Sequence, residues 1–218
     1  MTVNDDFAAA SRRKLFRYSA GQATVAYLGQ LKGYRYMHAA VLDPDISATA
    51  RAAMRGGRAG LLADYGPALA GTDAELDAIL DRFANAAFAD TVASVGRDPR
   101  RKLRPDDRLI GPERPAIRAG PSPKALAAAS AAALCFSNGH RPSLTQHIAG
   151  TDDRLAADAG RLLTKISEVP STDALSLRIR RTWTRLAAGQ DGNLLLSLRV
   201  RTCVWSPGCD AALDQAAS

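Results

Sequence analysis

The stretch over 124–136, KALAAASAAALCF, limits what this chain can fold into more than any other. After Lys124 it carries no charge and is mostly alanine, so it predicts a core helix buried on most sides with neighbouring backbones packed close against it. Such a helix needs amphipathic helices around it, and the sequence supplies them. The segment 72–88 places Leu76, Leu80, Phe83 and Ala87 on one face with Ile79 beside them, with Thr72 as N-cap and Glu75 as its capping-box partner. Segments 152–166 and 172–187 are also amphipathic. The second turns Leu175, Ile179, Trp183 and Leu186 inward and Arg178, Arg181 and Arg185 to another face. After a short polar leader, a helix is expected over 19–32, where Ala23, Ala26, Tyr27, Gln30 and Leu31 fall near one another and Gly33 stops the run. A further helix over 34–42 ends at Asp43-Pro44, and one over 45–54 is closed by Gly56, Gly57 and Gly60. Aromatic residues make up only 6% of the chain, and its 46% hydrophobic content is rich in Ala and Leu, so strand formers are too few for a sheet-based core. The expected fold class is all-α, a single multi-helix domain.

Two regions depart from this pattern. Over 96–120 the chain turns basic and proline-rich, with Pro99, Pro105, Pro112 and Pro115, which predicts a long, irregular, ordered connection of the kind that often serves function. In the tail, Leu196, Leu198, Val200, Thr202 and Val204 alternate with polar residues at strand spacing. Either this strand adds to another chain's sheet or the tail is a loosely held appendage.

Several classes of function are excluded or disfavoured. Gly56-Gly57-Arg58-Ala59-Gly60 falls between predicted helices with no strand before it, so it is not a dinucleotide fingerprint, and no P-loop is present. Cys135, Cys203 and Cys209 form no Cys-x-x-Cys pair, and His38, His140 and His147 neither cluster with acids nor sit at ligand spacing. The thiols read as reduced and structural, the histidines as structural or solvated, and no metal is expected. The formal net charge of +7 favours anionic ligands such as phosphates. Nucleic acid is not expected, since aromatic interleaving and a recognition-helix pattern are missing. No run approaches the roughly 18 to 20 apolar residues needed to cross a bilayer. The first residues, MTVNDDFAAASRRK, carry acids and no apolar core of a signal peptide. A soluble, cytoplasmic protein with no membrane partner is the expectation.

Three segments carry a more specific signal. They are Lys14-Leu15-Phe16 leading to Ala26-Tyr27-Leu28-Gly29-Gln30-Leu31-Lys32-Gly33-Tyr34, then Arg82-Phe83-Ala84-Asn85, then Val95-Gly96-Arg97-Asp98-Pro99-Arg100-Arg101-Lys102-Leu103 running to Asp107-Arg108-Leu109-Ile110. In order and in register they resemble the C-terminal, substrate-binding domain of the mannitol dehydrogenase and mannitol-1-phosphate 5-dehydrogenase family of long-chain polyol dehydrogenases. The resemblance implies a helical domain over 12–187, like the C-terminal helical domain of 6-phosphogluconate dehydrogenase, with an irregular tail over 188–218. In that family a Rossmann domain binds NAD and this helical domain holds the polyol. The expectation is therefore no cofactor in this chain itself, a polyol or sugar phosphate as small-molecule ligand, and either no redox activity by itself or a need for a separate Rossmann-domain chain, with that chain or a homodimer as partner.

The family's catalytic signature is Lys-x4-Asn-x2-His. The matching positions here are Lys14, Ser19 and Gln22, so the lysine is kept while asparagine has become serine and histidine glutamine. By resemblance Lys14 is a general base toward the substrate hydroxyl, with Ser19 and Gln22 left to orient it. A lysine acts as base only in its neutral form, which the positive charge of Arg12, Arg13 and Arg17 favours. Arg97, Arg101, Lys102 and Arg108 match family positions lining the substrate cleft, and guanidinium forks suit a phosphate ester. Their other reading is that they brace the irregular loop through bonds to carbonyls. Two further functions compete: a cofactor-independent lyase or isomerase with Lys14 as base, told apart by activity without added cofactor, and a nucleic-acid module, told apart by salt-dependent polynucleotide binding.

Overall fold

A computed structural model of the chain describes residues 3–118, 124–136 and 152–187. In chain order these form α1 (Val3–Lys14), a π-helical turn (Leu15–Ser19), α2 (Ala20–Leu31), α3 (Met37–Val41), α4 (Pro44–Tyr65), α5 (Pro67–Ala70), α6 (Asp73–Ala84), a 3-10 turn (Ala86–Phe88), α7 (Val92–Gly96), α8 (Pro99–Lys102), α9 (Glu113–Arg118), α10 (Lys124–Cys135), α11 (Asp152–Ser167) and α12 (Ala174–Ala187). The fold is all-α. Among the described residues the extended pairing is a lone antiparallel bridge between Tyr36 and Thr91. No helix among them is long and apolar enough to cross a membrane, and no group of three or more metal-ligating side chains is found. The alternating segment 196–204, His140, His147, Cys203 and Cys209 lie outside the described residues.

The alanine-rich segment forms the core helix that its composition predicts. Residues Ala125 to Leu134 of α10 are all buried, and α10 packs against α12 and α2. Alanine faces let these axes approach closely, and the larger side chains come from the partners. From α12, Leu175, Ile179, Trp183 and Leu186 are buried while Arg178, Arg181 and Arg185 stay exposed. Each such buried side chain contributes on the order of 1.5–3 kcal/mol by leaving water.

Elsewhere the structure corrects the sequence reading. The polar leader, for which no helix was expected, is helical: α1 runs without a break through the π turn into α2, as Lys14 and Ala20 at the two junctions both keep right-handed helical dihedrals. Helix α4 does not stop at its glycines. It starts at Asp43, whose side chain accepts from the Asp45 and Ile46 amides and pairs with Lys32 at 2.8 Å, and it continues through Gly56, Gly57 and Gly60 to Tyr65. Those glycines sit at helix crossings. A methyl group at position 57 would overlap the Phe16 carbonyl oxygen, and one at position 60 would lie 2.6 Å from Pro115 Cβ. They are therefore contact residues and not terminators.

Helix α6 ends at Ala84, and Asn85 then caps the 3-10 turn by accepting from the Ala87 amide at 2.9 Å. Only half of the expected capping box forms. Thr72 Oγ1 accepts from the Glu75 amide at 3.3 Å, but the Glu75 carboxylate turns away to Arg13 and Arg17. The basic connection over 96–120 is less irregular than its prolines suggest, because α8 and α9 lie within it. Pro99 takes the first turn of α8, where a missing amide costs little, and the Asp98 side chain caps it.

Candidate functional site

The residues matching the Lys-x4-Asn-x2-His pattern lie along the α1–π–α2 run. In a regular α-helix five residues turn roughly 500°, leaving Lys14 and Ser19 about 140° apart around the axis. The π turn replaces i→i+4 with i→i+5 bonding and brings these two positions nearer to one line. Their surroundings nevertheless differ. Lys14 is exposed and makes no hydrogen bond or ion pair among the described residues, whereas Ser19 is 5% exposed and lines neither of the two pockets beside this run.

Lys14 stands at a cleft of about 760 Å³ between the α1–π segment and the α5–α6 segment. Apolar walls come from Leu69 and Ile79, and the charged groups are Arg13, Lys14, Arg17, Arg82 and Glu75. Four cations thus face one carboxylate. Glu75 Oε2 accepts from Arg13 at 2.9 Å and from Arg17 at 2.5 Å, and the Arg17 guanidinium, itself almost fully buried, holds the Glu75 carboxyl below its ordinary value. Arg82 has no carboxylate partner among the described residues. Its guanidinium lies 5.9 Å from the Tyr18 ring centre and 5.2 Å from that of Phe88. Stacking of this kind leaves the guanidinium edge open for an incoming anion.

Tyr18 and Arg82 also wall a second, smaller pocket of about 120 Å³, lined by Gln22, His38, Asn85, Phe88 and Asp90 among others. Backbone bonds build it: the Met37 amide donates to the Asp90 carbonyl and the Val92 amide to the Arg35 carbonyl, both at 2.9 Å. These bonds flank the Tyr36–Thr91 bridge and bring His38 opposite residues some fifty positions along the chain. The signature is thereby divided. Lys14 faces the larger cleft, Gln22 the smaller pocket, and Tyr18 and Arg82 separate them.

The basic loop sits elsewhere. Arg97, Arg101, Lys102 and Arg108 line neither the Lys14 cleft nor the Gln22 pocket. Lys102 is 3% exposed, and its Nζ donates to the Val95 carbonyl at 2.8 Å and to the Arg97 carbonyl. The ammonium also lies 5.9 Å from the centre of the Tyr27 ring. Burial, with Arg108 and Arg101 nearby, pushes the Lys102 ammonium down to about 8. Arg101 pairs with Asp98 at 3.2 Å, and Arg108 with Asp107 at 2.7 Å. Arg97 is exposed. Three of the four cations therefore spend their hydrogen bonds within the loop.

Sequence reasoning passed over Arg82, Glu75, His38 and Asp90 as site residues. Arg82 and Asn85 lay in a family-like string without an assigned role. His38 carried no local signal, because only the Tyr36–Thr91 pairing brings it to Gln22.

The family model described as mannitol dehydrogenase C-terminal domain matches residues 6–171. A mannitol-1-phosphate 5-dehydrogenase of Paenarthrobacter aurescens (strain TC1) is 33% identical over 174 residues, which are 80% of this chain and 45% of that protein. The chain thus spans just under half the length of this relative.

Proposed function

Because the chain belongs to the mannitol dehydrogenase C-terminal domain family, we propose that it forms the polyol-phosphate-binding side of a cytoplasmic dehydrogenase of the mannitol 1-phosphate type. The observation that carries this reading is the cleft at Lys14, with four cations against one carboxylate and apolar walls behind them. Lys14 and Arg82, which have no anionic partner among the described residues, take the phosphate ester, and Arg13 and Arg17 add field from behind Glu75. In this reading Lys14 serves as a cation to the phosphate, and Gln22, with Ser19 if it turns outward, holds a polyol hydroxyl in the adjoining pocket. The loop cations Arg101, Lys102 and Arg108 act in this reading as braces, and exposed Arg97 is the loop cation left to meet a ligand.

We expect the family's nicotinamide cofactor to bind outside this helical domain. The glycine cluster Gly56, Gly57 and Gly60 lies inside α4 and is closed off by Phe16 and Pro115, so its amides are not presented to a pyrophosphate. Hydride transfer at this site would draw on a Rossmann-type domain outside the described helices, and a separate chain carrying one is the partner that we propose.

Calorimetric titration with mannitol 1-phosphate and with mannitol tests the reading. A charge-assisted contact contributes on the order of 1.5–3 kcal/mol, so the phosphate ester is expected to bind at least about tenfold more tightly. Arg82→Ala should remove about that factor. Equal affinity for the two ligands would overturn the assignment.

A further inference from the structure

Position 22 holds glutamine where the family resemblance expects histidine, yet the same small pocket contains an imidazole delivered from another helix. His38 lies in the first turn of α3, just after Tyr36, and α3 is pinned by the Met37 amide to the Asp90 carbonyl. Its ring stacks on Tyr36 with centroids 5.4 Å apart and planes at 19°, which sets the ring orientation. Neither ring nitrogen hydrogen-bonds to a described residue. The other polar residues lining the pocket are Tyr18, Gln22, Arg82, Asn85 and Asp90. The Asn85 oxygen already serves as a cap, which leaves His38, Gln22, Asp90, Arg82 and the Asn85 amino group to meet a ligand.

An imidazole can donate through one nitrogen and accept through the other, which matches a hydroxyl group that must do both. We propose that His38 is a ligand-contacting residue of this site: it hydrogen-bonds a hydroxyl of the polyol portion in the Gln22 pocket, while the phosphate rests against Lys14 and Arg82 in the adjoining cleft. This rests on the polyol-phosphate reading above. It gives the site an imidazole from α3 in place of the one absent from α2.

The test titrates the full chain with mannitol 1-phosphate and with inorganic phosphate. His38→Ala should weaken mannitol 1-phosphate about tenfold and leave inorganic phosphate unchanged, since only the first ligand has hydroxyls to place. Adding Gln22→His to His38→Ala should recover most of the loss. His38→Gln, which keeps a donor and an acceptor, should fall between, and it serves if the alanine variant loses its helical signal. If His38→Ala and His38→Gln both bind mannitol 1-phosphate like the parent while Arg82→Ala weakens both ligands, the His38 assignment is overturned and the site reading stands. If the parent binds neither ligand, both are overturned together.

Discussion

The three glycines of α4 permit a test that separates spacing from flexibility. Replacing glycine by alanine inside a helix gains about 1 kcal/mol if the new methyl has room. At position 56 it has: the methyl would meet Leu126 Cδ1 at 3.5 Å and Ala116 Cβ at 3.6 Å, ordinary contacts that add a little burial. Gly56→Ala is therefore expected to stabilise the domain by about 1 kcal/mol. Position 60 is tighter, with Pro115 Cβ at 2.6 Å and backbone atoms of Pro115 and Ala116 at 3.1 and 3.2 Å. The clash there should cancel or outweigh the helical gain, for a net loss of up to about 1 kcal/mol. At position 57 the obstacle is the Phe16 carbonyl oxygen, and Phe16 belongs to the π turn. Backbone cannot rotate away as a side chain can, so α4 and the α1–α2 run must part. A cost of about 3 kcal/mol against a gain of about 1 leaves Gly57→Ala roughly 2 kcal/mol less stable. For a chain of this size each kcal/mol moves Tm by about 2–4 °C. The series should thus spread over about 6–12 °C when helical circular dichroism is followed on heating. A Gly57→Ala protein melting with or above Gly56→Ala would refute the crossing argument and return these glycines to the role of simple helix weakeners.

Two further predictions concern buried charge. Lys102 is pushed from an ordinary 10.5 down to about 8, first by burial. Between those values the unfolded chain holds a proton that the folded one has released, so stability should rise with pH across that window by at most about 3 kcal/mol, the full shift discounted for its two carbonyl bonds. Lys102→Met should flatten that rise in urea unfolding measured at stepped pH, and an unchanged slope would disprove it. Glu113 is fully buried with both carboxyl oxygens unpartnered among the described residues, and burial raises it well above its ordinary value against the pull of Arg178. The folded form keeps the proton longer, so stability falls as pH climbs past the ordinary carboxylate range. Glu113→Gln should abolish that fall, and a variant as pH-sensitive as the parent would show the carboxyl to be paired.

What the sequence could disclose follows from how local each cause is. The core helix was legible because the alanine-rich run after Lys124 is too apolar to face water and too poor in branched side chains to pair as a strand. Helix α12 was legible because its buried residues and its arginines take separate faces. The α4 glycines were not, since the same residue either ends a helix or admits a neighbour, and only the positions of distant residues such as Phe16 and Pro115 decide. The basic loop carried its own answer in part: Asp98 and Asp107 lie among the arginines and claim two of them. The cleft's remaining members come from α5 and α6, and His38 from α3. No periodicity could announce that the Tyr36–Thr91 bridge would bring these together.

The π turn at Leu15–Ser19 also acts as a phase setting between two otherwise rigid rods. A π turn amounts to one residue more than a regular helix would use, and each residue is worth about 100° of rotation. Removing a single residue there would let the run relax into uninterrupted α-helix while α2 kept its packing on α4 and α7. Everything before it would then swing round by about 100°, taking Lys14 and Arg13 off the cleft and leaving Gln22 in its pocket. Such a deletion would remove half of the candidate site and also shift Phe16 against Gly57, so the extra residue ties the proposed site to the packing on α4.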